Sequence, residues 1–184
     1  MRRFLTGNTE LILCCVFYLA WWIIAFKPVG AVKGMKSGWL LIPAAILGIA
    51  AVFTIAGGIA ATDTSLQLLP TMRIAAVGAA AYVILLLGTW FLMKRPVTTE
   101  LFLIVGWATL ACAEISALYA HDIYTAGAAW FFIALIIVLA AVSLVCYLLY
   151  YNLDAVKGYY DGIIPLAVVA MVTAVMNVTI ALQI

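Results

Sequence analysis

Long apolar runs, separated by short polar breaks, dominate this chain. Six stand out, over about residues 10–26, 38–61, 72–93, 99–120, 126–151 and 162–183. Each is close to the roughly 17 to 25 residues that a helix needs to cross the hydrocarbon of a bilayer. The runs are continuous, whereas a membrane-spanning barrel needs alternating apolar and polar positions, so helices are the spanning element. The breaks carry charge and turn signals: Lys27-Pro28, Lys94-Arg95-Pro96, His121-Asp122 and the stretch 154–161. The pattern predicts an all-α integral membrane protein, one transmembrane helical bundle over 1–184 with six spanning helices. No connection exceeds about 12 residues. Function must therefore reside within the bundle, at its mouths, or in a partner.

Composition agrees. The chain is 69% hydrophobic and 9% charged, with a mean hydropathy of +1.27, where soluble domains carry about 25% charged residues. Met1-Arg2-Arg3 and a polar stretch precede the first run without a small-residue cleavage site after it, so that run reads as a retained span and not a signal peptide. Trp21, Trp22, Trp39, Trp90, Tyr150, Tyr151, Tyr159 and Tyr160 fall near span ends, as interfacial aromatic belts do. Thr9 and Thr99 read as N-caps, with Glu10 and Glu100 at the starts of spans one and four where a carboxylate favours the helix dipole. Pro43 and Pro165 read as early helical prolines that kink nothing. Lys27, Lys33, Lys36, Lys94, Arg95 and Lys157 fall in the first, third and fifth connections, against Arg2, Arg3 and Arg73 on the other side. That bias puts the odd-numbered connections in the cytoplasm and both termini outside, in the cell membrane.

The two halves of the chain, 9–93 and 99–183, resemble each other. Thr9-Glu10-Leu11 matches Thr99-Glu100-Leu101 at an offset of 90. Span two matches span five at 91, aligning Trp39 with Trp130 and Asp63 with Asp154. Span three matches span six at 95, aligning Pro70 with Pro165 and Tyr82 with Asn177. A unit of three spans crosses the membrane an odd number of times, so its copy must be inverted. A 3+3 inverted repeat of this kind recurs in transporters, with the solute near the interface of the halves.

Candidate chemistry lies on a few polar positions within the spans. An acidic residue at the centre of a membrane helix costs about 2.5 kcal/mol or more, and Glu114, although nearer one end of its span, calls for a reason. Glu100, Trp107, Glu114 and His121 follow one another seven residues apart, which brings each nearly back to one helix face with a drift of about 20° per step. The functional reading is a substrate path along this seam, with Glu114 and His121 relaying protons or gating by pH. The structural alternative is a Glu114 bonded to a neighbouring helix and a His121 in an ordinary polar turn. Tyr82 and Asn177 lie mid-span and offer donors to a small polar solute, or else join helices to one another. The hydroxyls of Thr54, Thr89, Thr109, Ser116, Ser143 and Thr173 carry less, because hydroxyls can bond back to their own helix.

Several classes find no support. A net charge of +2 offers nothing to a nucleic acid. One histidine cannot ligate haem from both sides, and Cys14, Cys15, Cys112 and Cys146 lack the spacing of a zinc site or a disulfide framework, so neither metal nor cofactor is expected. There is no phosphate loop and no nucleophile elbow. The size resembles that of urea and amide channels and of vitamin-binding importer subunits, but no motif of either is present and no residue role is carried over. The expected function is a channel or transporter, passive or proton-linked, for a small polar or weakly acidic solute. The expected partners are that solute, membrane lipid, and further copies of the chain or a partner membrane protein. The alternatives are a membrane subunit or sensor that docks a partner, and an intramembrane enzyme, which would need a nucleophile–base pair with His121 as its imidazole.

Overall fold

A computed structural model describes residues 1–26, 37–92, 94, 99–150 and 152–183. Six long helices make up the fold: α1 (Arg2–Phe26), α2 (Leu41–Ala60), α3 (Thr71–Leu87), α4 (Thr99–Ala120), α5 (Ala126–Tyr150) and α6 (Ala155–Ala181). A short 3-10 turn, Ser37–Leu40, leads into α2, and α3 runs on into a π-helical turn, Gly88–Leu92. Each of the six is long and apolar enough to cross a bilayer. Helices of this kind pair every interior backbone N–H with a carbonyl of the same segment, which hydrocarbon demands. Large apolar side chains such as Met72, Phe53 and Phe91 point outward, which suits a surface solvated by lipid tails. The protein is an all-α membrane protein with six spanning helices.

Two helix starts differ from the sequence reading, for local reasons. The first helix begins at Arg2 and not near Glu10. Thr9 and Glu10 therefore lie inside α1, and the Thr9 hydroxyl donates to the Leu5 carbonyl at 2.8 Å as hydroxyls inside helices do. The sixth helix begins at Ala155 and not at Gly162, because Asp154 caps it, accepting from the N–H groups of Val156 and Lys157 at 3.1 and 2.9 Å. Part of the stretch read as a connection is thus helical, and Pro165 lies well inside α6. Proline brings no N–H to the carbonyl four residues back, that of Asp161. Glu100 is in the first turn of α4, as expected. Lys27, Lys33, Lys36 and Arg95 fall outside the described residues.

The helices group into two compact units. The first unit comprises Met1–Gly58 with Leu148–Ile184 and the second Ile59–Tyr147. In the first unit α1 lies along α6, and α1 also meets α2. The α1–α2 approach is close: a Cβ on Gly58 would stand 2.9 Å from the Phe4 ring, and one on Gly7 would stand 3.2 Å from the Ile55 backbone nitrogen. Arg3 Nη1 donates to the Gly57 carbonyl at 2.7 Å, satisfying one of the orphan carbonyls that end α2.

In the second unit α3 lies along α4. Gly78 makes this possible, because a Cβ there would run into the side chain of Thr109. The turn after α4 closes with Asp122 in the left-handed region, φ 58°. The Asp122 N–H donates to Tyr119 O at 3.0 Å and that of Ile123 to Leu118 O at 3.1 Å, the paired bonds of a Schellman ending. Buried Ile123 completes it.

Candidate functional site

The densest buried polar region of the second unit is the C-terminal half of α4 with the segment that joins α2 to α3. Residues Ala113 to Leu118 are buried on every side of the helix. Glu114 lies among them, only 2% exposed. Ala111, Ala113 and Ala117 keep that stretch narrow enough for neighbours to come close.

Residues 61–70 fold onto this stretch. Ser116 Oγ accepts from the Leu69 N–H at 2.8 Å and donates to the Leu69 carbonyl at 2.7 Å. At the end of α4, His121 Nε2 lies 3.1 Å from Thr62 Oγ1. Between these two contacts the segment has order of its own. Asp63 Oδ1 accepts from the N–H and hydroxyl of Ser65, at 2.9 and 2.8 Å, which holds its carboxyl below the usual carboxylate range. Gln67 is buried, and its amide oxygen accepts from the N–H and hydroxyl of Thr71 at the start of α3, at 3.2 and 2.8 Å. Gln67 Nε2 is also buried and has no hydrogen-bond partner among the described residues. A buried donor of that kind is the exception in folded proteins and calls for an acceptor.

The seam read along α4 is uneven. Glu100 and His121 are exposed at its ends, Trp107 is half-buried, and Glu114 is enclosed. Tyr82 meets α4 at Phe102, ring centroids 5.8 Å apart and edge to face. Phe102 precedes Glu114 by about 18 Å along the helix axis, at 1.5 Å per residue. Tyr82 and Glu114 thus attach to different stretches of α4, and His121 is joined to Thr62.

Asn177 belongs to the first unit. Its Nδ2 donates to Thr9 Oγ1 at 3.1 Å and so joins α6 to α1. Asn8, beside Thr9, is 1% exposed. Asn177 Oδ1 and Glu10 Oε2 are buried without a hydrogen-bond partner among the described residues. Both are acceptors, so this helix pair has unmet capacity for a donor.

The sequence alone does not single out Asn8, Glu10, Thr62, Gln67 or Ser116 for binding. Asn8 and Glu10 carry a signal: with Thr9 they make three polar residues in a row inside what proves to be a helix. Ser116 carried none that separates it from Thr109 and Thr89, which do bond back to Val105 O and Leu86 O of their own helices. Among the described residues no three His, Cys, Asp or Glu side chains gather as a metal site. All four cysteines are free thiols.

Compared with protein-family models, with curated proteins and with solved structures, the chain matches none of them.

Proposed function

We propose that the protein is a channel or transporter for a small polar or weakly acidic solute, working passively or linked to protons. The observation that carries the reading is Glu114, a carboxyl enclosed within a membrane span. An ionisable residue within a membrane span is costly, and such residues mark solute and proton pathways or pair with a neighbouring helix. Trp107 and Glu114 would shape the path and His121 its mouth. Tyr82 and Asn177 would offer hydrogen bonds farther along. It would work without ATP of its own, the sequence having no phosphate-loop motif.

The grouping of the helices supports a 3+3 inverted repeat. The offsets pair α1 with α4, α2 with α5, and α3 with α6. The first unit holds α1, most of α2, and α6; the second holds α4, most of α5, and α3. The pairing thus carries one unit onto the other, each taking its third helix from the opposite half. It also carries the α1–α6 contact onto the α4–α3 contact. Inverted repeats of three-helix units recur in transporters. Both termini would lie outside the cell membrane on the Lys and Arg bias, and homo-oligomers are expected.

The second reading, a subunit that docks a partner membrane protein, is favoured by one feature. Ala75, Ala76, Ala79 and Ala80 of α3 are exposed, and small residues admit close helix contact.

Stopped-flow light scattering on proteoliposomes decides between the two. Small amides, polyols and weak acids are tested at two pH values against empty liposomes. The transport reading expects a subset to cross faster with the protein, and Glu114→Gln to remove that acceleration or its pH dependence. No acceleration for any solute would transfer the weight to the docking reading. Wild-type flux with Glu114→Gln at every pH would make Glu114 a bystander.

A further inference from the structure

The aromatic residues near span ends divide into two kinds. Trp39, Trp90 and Tyr160 are 64%, 58% and 63% exposed, as residues that anchor a helix in lipid headgroups should be. Trp22, Tyr150 and Tyr159 are half-buried, and the Trp22 and Tyr150 rings meet, while the Tyr159 ring meets that of Tyr160 edge to face. The Trp22 ring stacks at a tilt on Phe26, centroids 4.5 Å apart and planes 31° apart, and lies 5.8 Å from the ring of Tyr150. Its indole N–H, which an interfacial tryptophan gives to a headgroup or water, goes instead to the Tyr159 carbonyl at 3.1 Å. The indole also lies against the backbone of Gly162, where no side chain would fit. This ring is fixed as a wall.

Trp22, Phe26, Tyr150 and Tyr159 together border a half-open cavity of about 220 Å³ in the first unit, with Leu153, Asp154 and Gly158 completing the lining. That volume is below the roughly 300 Å³ at which drug-sized pockets begin, so the occupant is no larger than a headgroup. Asp154 supplies negative charge at the rim. The Lys157 N–H, the Lys157 ammonium 3.2 Å away and the Val156 N–H hold its carboxyl ionised, below the usual range. A lining rich in aromatic residues beside a carboxylate is the chemistry that recognises a quaternary ammonium ion.

We propose that this cavity binds a quaternary ammonium group, carried either by a free solute such as choline or by a phosphatidylcholine headgroup. The site is independent of the transport reading, and a failed flux assay leaves it standing. The first test is equilibrium dialysis of radiolabelled choline with the purified protein in a maltoside detergent. Saturable binding is expected, competed by tetramethylammonium and at least tenfold less well by the uncharged tert-butyl isostere. Tyr159→Leu and Tyr150→Leu should each weaken binding roughly three- to tenfold, and Tyr159→Phe, which keeps the ring, should not. Asp154→Asn keeps a helix cap and should weaken binding. Lys157→Gln removes a competing cation and should tighten it about two- to fivefold. In mixed micelles, competition by phosphatidylcholine and not phosphatidylglycerol would mark a lipid site, and competition by free cations alone a solute site. Two results would overturn the proposal: no saturable binding of choline together with no effect of phosphatidylcholine, or equal competition by the neutral isostere. Unaltered binding by folded Tyr159→Leu and Tyr150→Leu would do the same, and if either fails to fold the isostere comparison still decides.

Discussion

The two units solve one packing problem with different chemistry. Each lays one long helix along another, α1 with α6 and α4 with α3. In the first unit the contact carries a hydrogen bond, Asn177 to Thr9. Carried across by the offsets of 90 and 95, that pair becomes Tyr82 and Thr99. The second unit makes its contact one turn along, and it is aromatic, Tyr82 on Phe102. Polar groups in the second unit gather elsewhere, where the 61–70 segment meets Ser116 and His121. Both units pair two long helices, and the residues that join the pair differ between them. A polar group in lipid needs a partner, but the fold leaves open whether that partner is a neighbouring helix or a connection folded inward.

The strongest way to break the parallel is to push the paired helices apart. Gly78→Val in the second unit and Gly162→Val in the first would drive a side chain into Thr109 and Trp22 respectively. Each should destabilise by about 1–3 kcal/mol, the usual range for overpacking. Gly106→Ala is the control. Nothing lies within 4 Å of a Cβ there, and replacing a mid-helix glycine by alanine should stabilise by about 0.5–1 kcal/mol. Unfolding in mixed micelles by added denaturing detergent measures all three. A Gly78→Val protein as stable as the wild type would remove the close α3–α4 contact from the comparison.

The next effect separates the units. Ser116→Ala removes both side-chain bonds to Leu69 and should cost about 1–3 kcal/mol, because it leaves backbone groups without partners. Hydrogen exchange should quicken in 61–70 more than in α1 or α6. Uniform quickening across the chain would mean that the segment has no local role.

How far the sequence discloses this arrangement follows from what each signal depends on. Six spans are legible because bilayer thickness imposes run lengths that composition alone reveals, and Trp and Tyr mark their ends. The ends of α1 and α6 are less legible. Charged and polar turns that extend a membrane helix into water look like connections until the cap is seen, as at Asp154. Glu114 stands out in the sequence because a carboxylate in an apolar run is costly. Ser116, Thr62 and Gln67 do not, since their roles depend on a connection folding back over α4, and no periodicity encodes that. Trp22, Tyr150 and Tyr159 are visible as aromatics near span ends, but only the direction of each ring separates a wall from an anchor.

A smaller effect tests the polar contact of the first unit by itself. A double-mutant cycle of Thr9→Val and Asn177→Ala should return a coupling of about 0.6 kcal/mol, the average for interhelical hydrogen bonds in a bilayer. The same cycle on Tyr82→Leu and Phe102→Leu reads the aromatic contact of the second unit, for which about 0.5–1.5 kcal/mol is expected. Zero coupling in the first cycle with a clear value in the second would confine stabilising side-chain pairing to α3 and α4.

The smallest expected effect is electrostatic and lies outside the spans. Asp63 and Asp154, which the offset of 91 aligns, both have carboxyls held below their ordinary value. The Ser65 N–H and hydroxyl do this for Asp63, and the Lys157 N–H first, then its ammonium, for Asp154. A carboxyl lowered in the folded state binds its proton more tightly when unfolded, so its contribution is fully present above the unfolded pKa and is lost as pH falls through the folded one. Both groups are fully exposed, so solvent screens the effect heavily. The difference in melting temperature between wild type and Asp154→Asn should be small near neutral pH and should vanish on acidification below the carboxylate range. Asp63→Asn should follow the same course, through a turn and not a helix cap. The absence of any difference, even near neutral pH, would assign Asp154 to capping alone, because asparagine caps nearly as well as aspartate and carries no charge to lose.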